Sequence, residues 1–184
     1  GWVVEFGAWD GMYLSNTFRL IQQGFSGVYI ESDPERFQDL LTTCKRYPKI
    51  VPIQAFVSPV GENSLDNLLA RTRLPKEFEI ICIDVDSIDY HIWKGFWEYS
   101  PKVVIIEIGS SIPEGVLQIG DTTPTTSFTS MVELGTEKEP PRAQDPFRRR
   151  GQLRPQRARL PAEIAERADH SDLARHHIDG ALDM

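Results

Sequence analysis

The chain has 184 residues, 26% of them charged and 40% hydrophobic, and a formal net charge of −7. This length suits one ordinary domain with a substantial core. The composition excludes a collagen, a disulfide-rich knot and a wholly disordered chain. The negative charge argues against a general nucleic-acid binder, and no apolar run approaches the roughly 20 residues of a membrane span. We therefore expect neither nucleic acid nor a membrane among its partners.

Cysteine usage indicates the redox compartment. The chain has 2 cysteines, Cys44 and Cys82, which are too few for a disulfide framework. Cys82 lies inside an apolar run, and this position predicts a buried thiol. We therefore expect a reducing, cytoplasmic location.

The composition changes near residue 138. Up to that point 6 Lys and 5 Arg stand against 19 acidic residues, a net charge of −8, and 17 of the 18 aromatic residues are found there. From residue 139 onward there are 9 Arg, no Lys and 8 acidic residues. These compositions predict a folded domain over residues 1–138 and an irregular tail, rich in Arg, Pro and Ala, over residues 139–184.

Strand-like and helix-like patterns alternate through the first 138 residues. Apolar runs predict β-strands at residues 2–6, 27–31, 50–57, 78–85 and 102–108. Helical spacing predicts helices between and after them, with these residues on the buried faces: Leu14, Phe18 and Ile21; Phe37, Leu40, Leu41 and Cys44; Leu65, Leu68 and Leu69; Ile88, Ile92 and Phe96; Phe128, Met131, Val132 and Leu134. Asp33 and Pro34 predict an N-cap and a first turn, and Pro52 predicts an edge strand.

The succession of β-α units predicts an open, mostly parallel α/β sheet with helices on both faces. In such sheets a ligand binds beyond the carboxyl ends of the strands, at the point where the strand order reverses. Carboxylates occur at four of the five predicted strand ends: Glu5, Glu31, Asp84 and Glu107. We therefore expect the functional site at this edge.

The segment after the first predicted strand carries two glycines, Gly7 and Gly11. It does not follow the dinucleotide pattern G-x-G-x-x-G, because Trp9 and Met12 stand where glycines are needed. Glu31 follows Gly11 by 20 residues, which is the place and spacing of a carboxylate that accepts the hydroxyls of a ribose. The combination predicts an adenosine-type cofactor without a pyrophosphate. The alternative is that Glu31 is simply a strand-end acid on a solvated loop.

A second polar cluster follows the fourth predicted strand. Asp84, Asp86, Asp89 and His91 fall within eight residues. A carboxylate inside an apolar strand, as predicted for Asp84, needs a partner or a ligand. Asp84 or Asp86 could orient or deprotonate a hydroxyl, and His91 is a third candidate base. The alternatives are a helix cap at Asp86, a partner-satisfied His91, and a divalent metal site that Glu107 could join.

These segments resemble a known family. Residues 3–11, VVEFGAWDG, resemble the first motif of class I S-adenosylmethionine (SAM)-dependent methyltransferases, and residues 27–37, GVYIESDPERF, resemble the second. Residues 83–86, 93–95 and 101–107 are similar to the fourth and fifth strands of FkbM-type methyltransferases. Those enzymes are mostly O-methyltransferases of natural products and sugars. Their usual Asp-x-Glu-Gly reads Asp-Val-Asp-Ser in this chain.

The resemblance implies a Rossmann-like fold of the class I methyltransferase type, SAM as cofactor, and a small-molecule acceptor; we expect no bound metal. Within it, Glu5, Gly7 and Gly11 would shape the methionine end of the cofactor pocket, Glu31 would hold the ribose, and Asp33 and Phe56 would lie near the adenine. The cofactor-binding residues that the resemblance implies are Glu5, Gly7, Gly11, Glu31, Asp33 and Phe56. The catalytic candidates are Asp84, Asp86 and His91. The alternatives are a SAM- or nucleotide-binding module without catalysis, and a nucleotide-sugar or NAD enzyme.

The family would continue after residue 138 with two more strands that complete the sheet, and the sequence has no such pattern there. Because the chain also opens directly on a strand pattern, we expect a truncated domain. We hypothesise that residues 139–184 are translated in a shifted reading frame, since Lys, Tyr and Trp disappear together. The other two frames of the coding DNA beyond codon 138 would test this hypothesis.

Overall fold

A computed structural model describes residues 1–85, 88–120 and 125–138. The strands are β1 Trp2–Phe6, β2 Ser26–Glu31, β3 Ile50–Gln54, β4 Glu77–Ile83 and β5 Ser100–Ile106. The helices are α1 Phe18–Gln22, α2 Pro34–Arg46, α3 Leu65–Leu69, α4 Asp89–Gly95 and α5 Phe128–Lys138. The predicted tail, residues 139–184, lies outside the described residues.

The strands form one sheet in the order β3-β2-β1-β4-β5, and every neighbouring pair is parallel. The predicted parallel α/β sheet is therefore confirmed. The chain builds from β1 outward through β2 to β3, and then crosses to the other side of β1 to add β4 and β5. The strand order consequently reverses between β1 and β4.

Alternating side chains of the central strands supply two separate cores. Val4 of β1 packs in one cluster with Leu68 of α3 and Ile92 of α4. Val3, its neighbour in sequence, packs in the other cluster with Leu40 of α2. Since successive strand residues point to opposite faces, the two clusters lie on the two faces of the sheet. Helices cover both faces, as the sequence predicts.

Three local predictions from the sequence are confirmed. The Asp33 carboxylate caps α2, where it accepts hydrogen bonds from the backbone N–H groups of Glu35 at 2.8 Å and Arg36 at 2.9 Å. Pro52 lies in β3, which is at one end of the strand order. Cys82 is buried in β4.

The prediction that Leu14 faces the core is wrong. Leu14 lies before α1, is 81% exposed and has a left-handed φ of 55°. We define residues 7–17 as the first loop. Its end is hydrogen-bonded to the Glu5 carboxylate of β1, and α1 begins directly after it, at Phe18.

Phe128 and Val132 were also predicted to face inward, and both are exposed on α5. The residues that α5 buries are Ser130, Met131 and Leu134. Met131 and Leu134 pack against Tyr90 of α4 in a third apolar cluster. The buried stripe of α5 is therefore offset from the stripe that the apolar pattern predicted. None of the helices in the described ranges is long and apolar enough to cross a membrane.

A pair of alanine substitutions tests which side chains are buried and which are exposed. Ile81→Ala removes a fully buried β4 side chain and should lower the free energy of unfolding by about 2–5 kcal/mol, through lost burial and the remaining cavity. Val132→Ala should change it by no more than about 0.5 kcal/mol, because this side chain is exposed. Urea denaturation of both variants provides the measurement. Similar losses in the two variants would contradict the assignment.

Candidate functional site

The carboxyl ends of β1 and β4 meet where the strand order reverses, which is the usual ligand position in an open α/β sheet. The first loop leaves β1 at this point. It passes two buried carboxylates, Glu5 on β1 and Glu31 on β2. The sequence correctly placed both acids at this edge, and the structure adds how the loop contacts each of them.

Glu5 is only 5% exposed, and its carboxylate accepts hydrogen bonds from the far end of the first loop. The Ser15 hydroxyl donates at 2.8 Å, the Asn16 backbone N–H at 3.2 Å and the Thr17 backbone N–H at 3.1 Å. The Thr17 hydroxyl donates as well. A carboxylate offers about four acceptor positions, two on each oxygen. Three of the donors share Oε2 and the Asn16 N–H contacts Oε1, so the loop uses most of the capacity of Glu5. Glu5 therefore shapes the loop.

Glu31 connects the first loop to the segment that follows β2. One carboxylate oxygen accepts the backbone N–H of Trp9 at 2.7 Å, and the other accepts that of Asp33 at 2.8 Å. The side chain is 4% exposed. These two hydrogen bonds use one acceptor position on each oxygen, so Glu31 retains more acceptor capacity than Glu5.

Gly7 lets the loop approach β4 closely. Its φ is +71°, and a Cβ added there would lie 2.5 Å from the backbone carbonyl oxygen of Asp84. Any other residue would both adopt an unfavourable left-handed conformation and collide with the backbone. Gly11 has a different environment, since an added Cβ would meet Leu40 of α2 at 2.8 Å. Gly7 therefore lies against the end of β4, and Gly11 packs against α2.

Aromatic side chains form the rim of this edge. Trp9 has a left-handed φ of 47°, and the Arg36 guanidinium lies 4.4 Å from the centre of its ring. The rings of Tyr13 and Trp9 contact each other edge-on, with their centres 5.3 Å apart. Phe56, which follows β3, is exposed. The carboxylate of Asp33, predicted to lie near an adenine, is engaged as the cap of α2.

The environment of Asp84 differs from the predicted one. Because β4 ends at Ile83, Asp84 follows the strand and is exposed, and the expectation of a carboxylate inside an apolar strand is wrong. Asp86 lies outside the described residues. His91 is buried in α4, in edge contact with the Tyr90 ring at 5.4 Å. Asp84 is therefore the candidate base that is described and accessible.

Asp89 and Glu107 come together at the ends of β4 and β5. Asp89 is buried and accepts the backbone N–H of Val85 at 2.9 Å. The two acids line a cavity of about 10 Å³, close to the space that one water molecule needs. Its other lining residues are Ile108, Thr125, Thr126 and Met131. The sequence placed both acids at this edge without predicting that they share a cavity.

The sequence leaves a divalent metal site as an alternative for the acids after β4 and Glu107. In the described part of the chain, no three His, Cys, Asp or Glu side chains are grouped so that they could hold a metal ion. Asp86 does not belong to that part. The metal alternative therefore stays a prediction.

The sequence did not single out the polar residues beneath the first loop. The Thr17 hydroxyl lies 2.7 Å from the Tyr29 hydroxyl, and the Asn16 side-chain amide donates to the Cys82 sulfur at 3.2 Å. Burial raises the pKa of Tyr29 to about 12 and that of Cys82 to about 11. Both groups consequently keep their protons at neutral pH. The signal that could have found the cluster is the run Ser15-Asn16-Thr17, three polar residues directly before an apolar helix.

Comparison with known proteins found no family model and no curated protein that matches the chain. The fold and the geometry of this edge are therefore the basis on which its function can be argued.

Two glycines with positive φ provide a matched test of the approach at Gly7. Gly61 has a φ of +86°, and an added Cβ there would have nothing within 4 Å, so Gly61→Ala should cost only the left-handed backbone penalty of about 1–2 kcal/mol. Gly7→Ala should lower the free energy of unfolding by about 1–3 kcal/mol more, because of the collision with Asp84. Denaturant unfolding of both variants measures the difference. Equal losses would contradict the close approach.

Proposed function

We propose that the chain is a SAM-dependent methyltransferase of the Rossmann-like class I type, which transfers a methyl group to a hydroxyl oxygen of a small molecule or sugar. The observation that carries the proposal is the first loop, which lies at the reversal of the strand order and is held by the two buried acids Glu5 and Glu31. The order β3-β2-β1-β4-β5 agrees with the usual order of nucleotide-binding sheets of this class.

The residues present are compatible with an adenosine-type cofactor. Glu31 uses two hydrogen bonds for the protein and keeps acceptor positions for the hydroxyls of a ribose. The glycine at position 7 leaves the end of β4 uncovered by a side chain. The first loop has neither the glycine spacing of a dinucleotide site nor that of a P-loop, which favours a cofactor without a pyrophosphate.

In this proposal the residues of the edge have distinct roles. Glu31 binds the ribose, Gly7 provides space at the methionine end, and Phe56 offers an exposed ring near the adenine. Glu5 and Gly11 act indirectly, since Glu5 holds the loop and Gly11 allows the loop to pack against α2. The edge is acidic, which suits a cationic cofactor. An attraction that is equal before and during the reaction would aid binding without speeding the transfer.

When bound, SAM would supply an electrophilic methyl group on a sulfonium. The protein must then orient an acceptor oxygen in line with that group and remove its proton. Asp84, exposed at the end of β4, is the described carboxylate best placed to accept this proton. Asp86 remains a candidate by sequence. His91 is buried in α4, so we assign it a role in orientation behind the reacting groups.

A second candidate function is a SAM- or nucleotide-binding module that does not catalyse. The position of His91 within α4 favours it, because one of the predicted bases then lies on a helix and not at a strand end. A nucleotide-sugar or NAD enzyme is a weaker alternative, because the first loop lacks the dinucleotide pattern. Isothermal titration of the folded chain with SAM, S-adenosylhomocysteine (SAH), NAD and ATP separates these functions. Undetectable binding of both SAM and SAH would overturn the proposal.

Glu31→Ala tests the ribose contact. Because the substitution removes a charged acceptor, the dissociation constant for SAM should rise about 10- to 100-fold. Glu35→Ala is the matched control, since it removes the same charge from an exposed position in the first turn of α2 and should leave the affinity nearly unchanged. Calorimetry measures both constants. Unchanged affinity in Glu31→Ala would exclude Glu31 as the ribose ligand.

Asp84→Asn separates binding from catalysis. The amide keeps the size of the side chain and loses its basicity, so the SAM affinity should stay within about threefold of the wild type while methyl transfer falls by about 100-fold or more. Transfer is measured as SAH release with a panel of hydroxyl-bearing acceptors. Asp39→Asn, an exposed position on α2, serves as the control and should leave transfer unchanged. Full transfer activity in Asp84→Asn would exclude Asp84 as the base.

A further inference from the structure

A row of buried oxygen atoms runs beneath the first loop. Thr17 is completely buried, and its hydroxyl donates to the Glu5 carboxylate. The same hydroxyl oxygen lies 2.7 Å from the hydroxyl of Tyr29. Because the Thr17 hydroxyl gives its single proton to Glu5, Tyr29 must donate to Thr17. The direction of the row is therefore Tyr29 to Thr17 to Glu5.

This row connects three parts of the fold. Tyr29 lies on β2, Glu5 on the adjacent β1, and Thr17 is the residue before α1. Tyr29 and Glu5 are direct partners in the pairing of β1 with β2. Burial raises the pKa of Tyr29 to about 12, so its phenol remains a donor throughout the physiological range. The row thus joins the far end of the first loop to two central strands.

The first loop depends on such anchors because its backbone is strained. Trp9 and Leu14 both have left-handed φ values, 47° and 55°. Large side chains in this conformation persist only where the surrounding structure holds them. The near end of the loop is held by the hydrogen bond from the Trp9 backbone to Glu31, and the far end by the contacts of Thr17 and its neighbours with Glu5.

We propose that Thr17 is a positioning residue for the cofactor: its hydroxyl fixes Glu5 and the far end of the first loop in the arrangement that binds SAM. The proposal rests on the function proposed above. Loss of the hydroxyl would remove a hydrogen-bond partner of the buried Tyr29 hydroxyl and one of the donors to Glu5, and both changes are costly in a buried setting. The loop would then sample other conformations, and binding would carry the cost of ordering it.

The test uses four variants of the full chain. Thr17→Val keeps the shape of the side chain and removes the hydroxyl, and Thr17→Ser restores the hydroxyl. Tyr29→Phe removes the hydroxyl that donates to Thr17 and leaves the Thr17 side chain in place. Thr43→Val is the matched control, because Thr43 is also buried but lies on α2, away from the first loop. Far-ultraviolet circular dichroism and urea denaturation first establish that each variant is folded under the assay conditions.

Two measurements are then made, hydrogen exchange of peptides covering residues 8–17 and the dissociation constant for SAH by calorimetry. Thr17→Val should accelerate exchange in these peptides about tenfold and weaken SAH binding about tenfold, with exchange in α2 and β5 unchanged. Thr17→Ser should return both values to within about twofold of the wild type. Tyr29→Phe should have a smaller effect, and Thr43→Val should leave both values unchanged.

The outcomes separate this inference from the proposed function. If wild-type protein binds neither SAM nor SAH, the proposed function and the cofactor role of Thr17 are overturned together, and the exchange data alone decide whether Thr17 orders the loop. If wild-type protein binds SAH and Thr17→Val does not weaken this binding, the positioning role is wrong although the function stands. Unchanged exchange in residues 8–17 would overturn it as well. If Thr17→Val does not fold, Tyr29→Phe provides the test.

Discussion

The burial of the Glu5 carboxylate constrains the whole carboxyl edge of the sheet. A carboxylate that is buried without partners costs several kcal/mol, so the chain must bring donors to it. Ser15, Asn16 and Thr17 provide those donors, and this requirement brings the end of the first loop back beneath the sheet edge. The start of α1, directly after Thr17, follows from the same requirement. One acid on the central strand therefore determines the path of the segment on which the proposed site depends.

The same loop also satisfies the acid of the neighbouring strand. While its far end contacts Glu5, its near end donates the Trp9 N–H to Glu31. Two buried charges on adjacent strands are thus stabilised by one segment. A disturbance at either acid should reach the other through the loop, so under the proposed function Glu5 would affect a ligand without touching it. Trp9 and Tyr13 of the aromatic rim lie on the same loop, and the contact of Trp9 with Arg36 of α2 depends on its backbone.

The strands were predictable because their apolar runs are long and are separated by helical patterns. Pro52 identified an edge strand, and Asp33 with Pro34 identified the start of α2, since each residue has a strong local conformational preference. Leu14 was wrongly predicted to be buried, because helical spacing of apolar residues carries no information about backbone conformation. The backbone at Leu14 is left-handed, in a loop whose end is hydrogen-bonded to Glu5. The end of β4 was placed too late because Val85 continues the apolar pattern after pairing with neighbouring strands has stopped at Ile83.

The site was predictable in position and not in detail. Glu5, Gly7 and Glu31 follow from strand ends and glycine spacing, which are local features. The occupation of Glu5 by four donors could not be predicted, because it depends on the three-dimensional return of the loop. The pairing of Thr17 with Tyr29 depends in addition on the register of β1 against β2. Contacts of this kind join residues that are distant in sequence, and no repeating pattern of residue types predicts them.

Pro52 has a consequence for how copies of this protein meet one another. β3 is at one end of the strand order, and an edge strand presents backbone groups that can pair with a strand of another molecule. Proline has no N–H, so at position 52 the backbone lacks a donor that a continuous ladder would need. This interruption discourages growth of the sheet from one molecule into the next. The residue that marks this edge of the described sheet therefore also makes the edge a poorer template for a strand of another molecule.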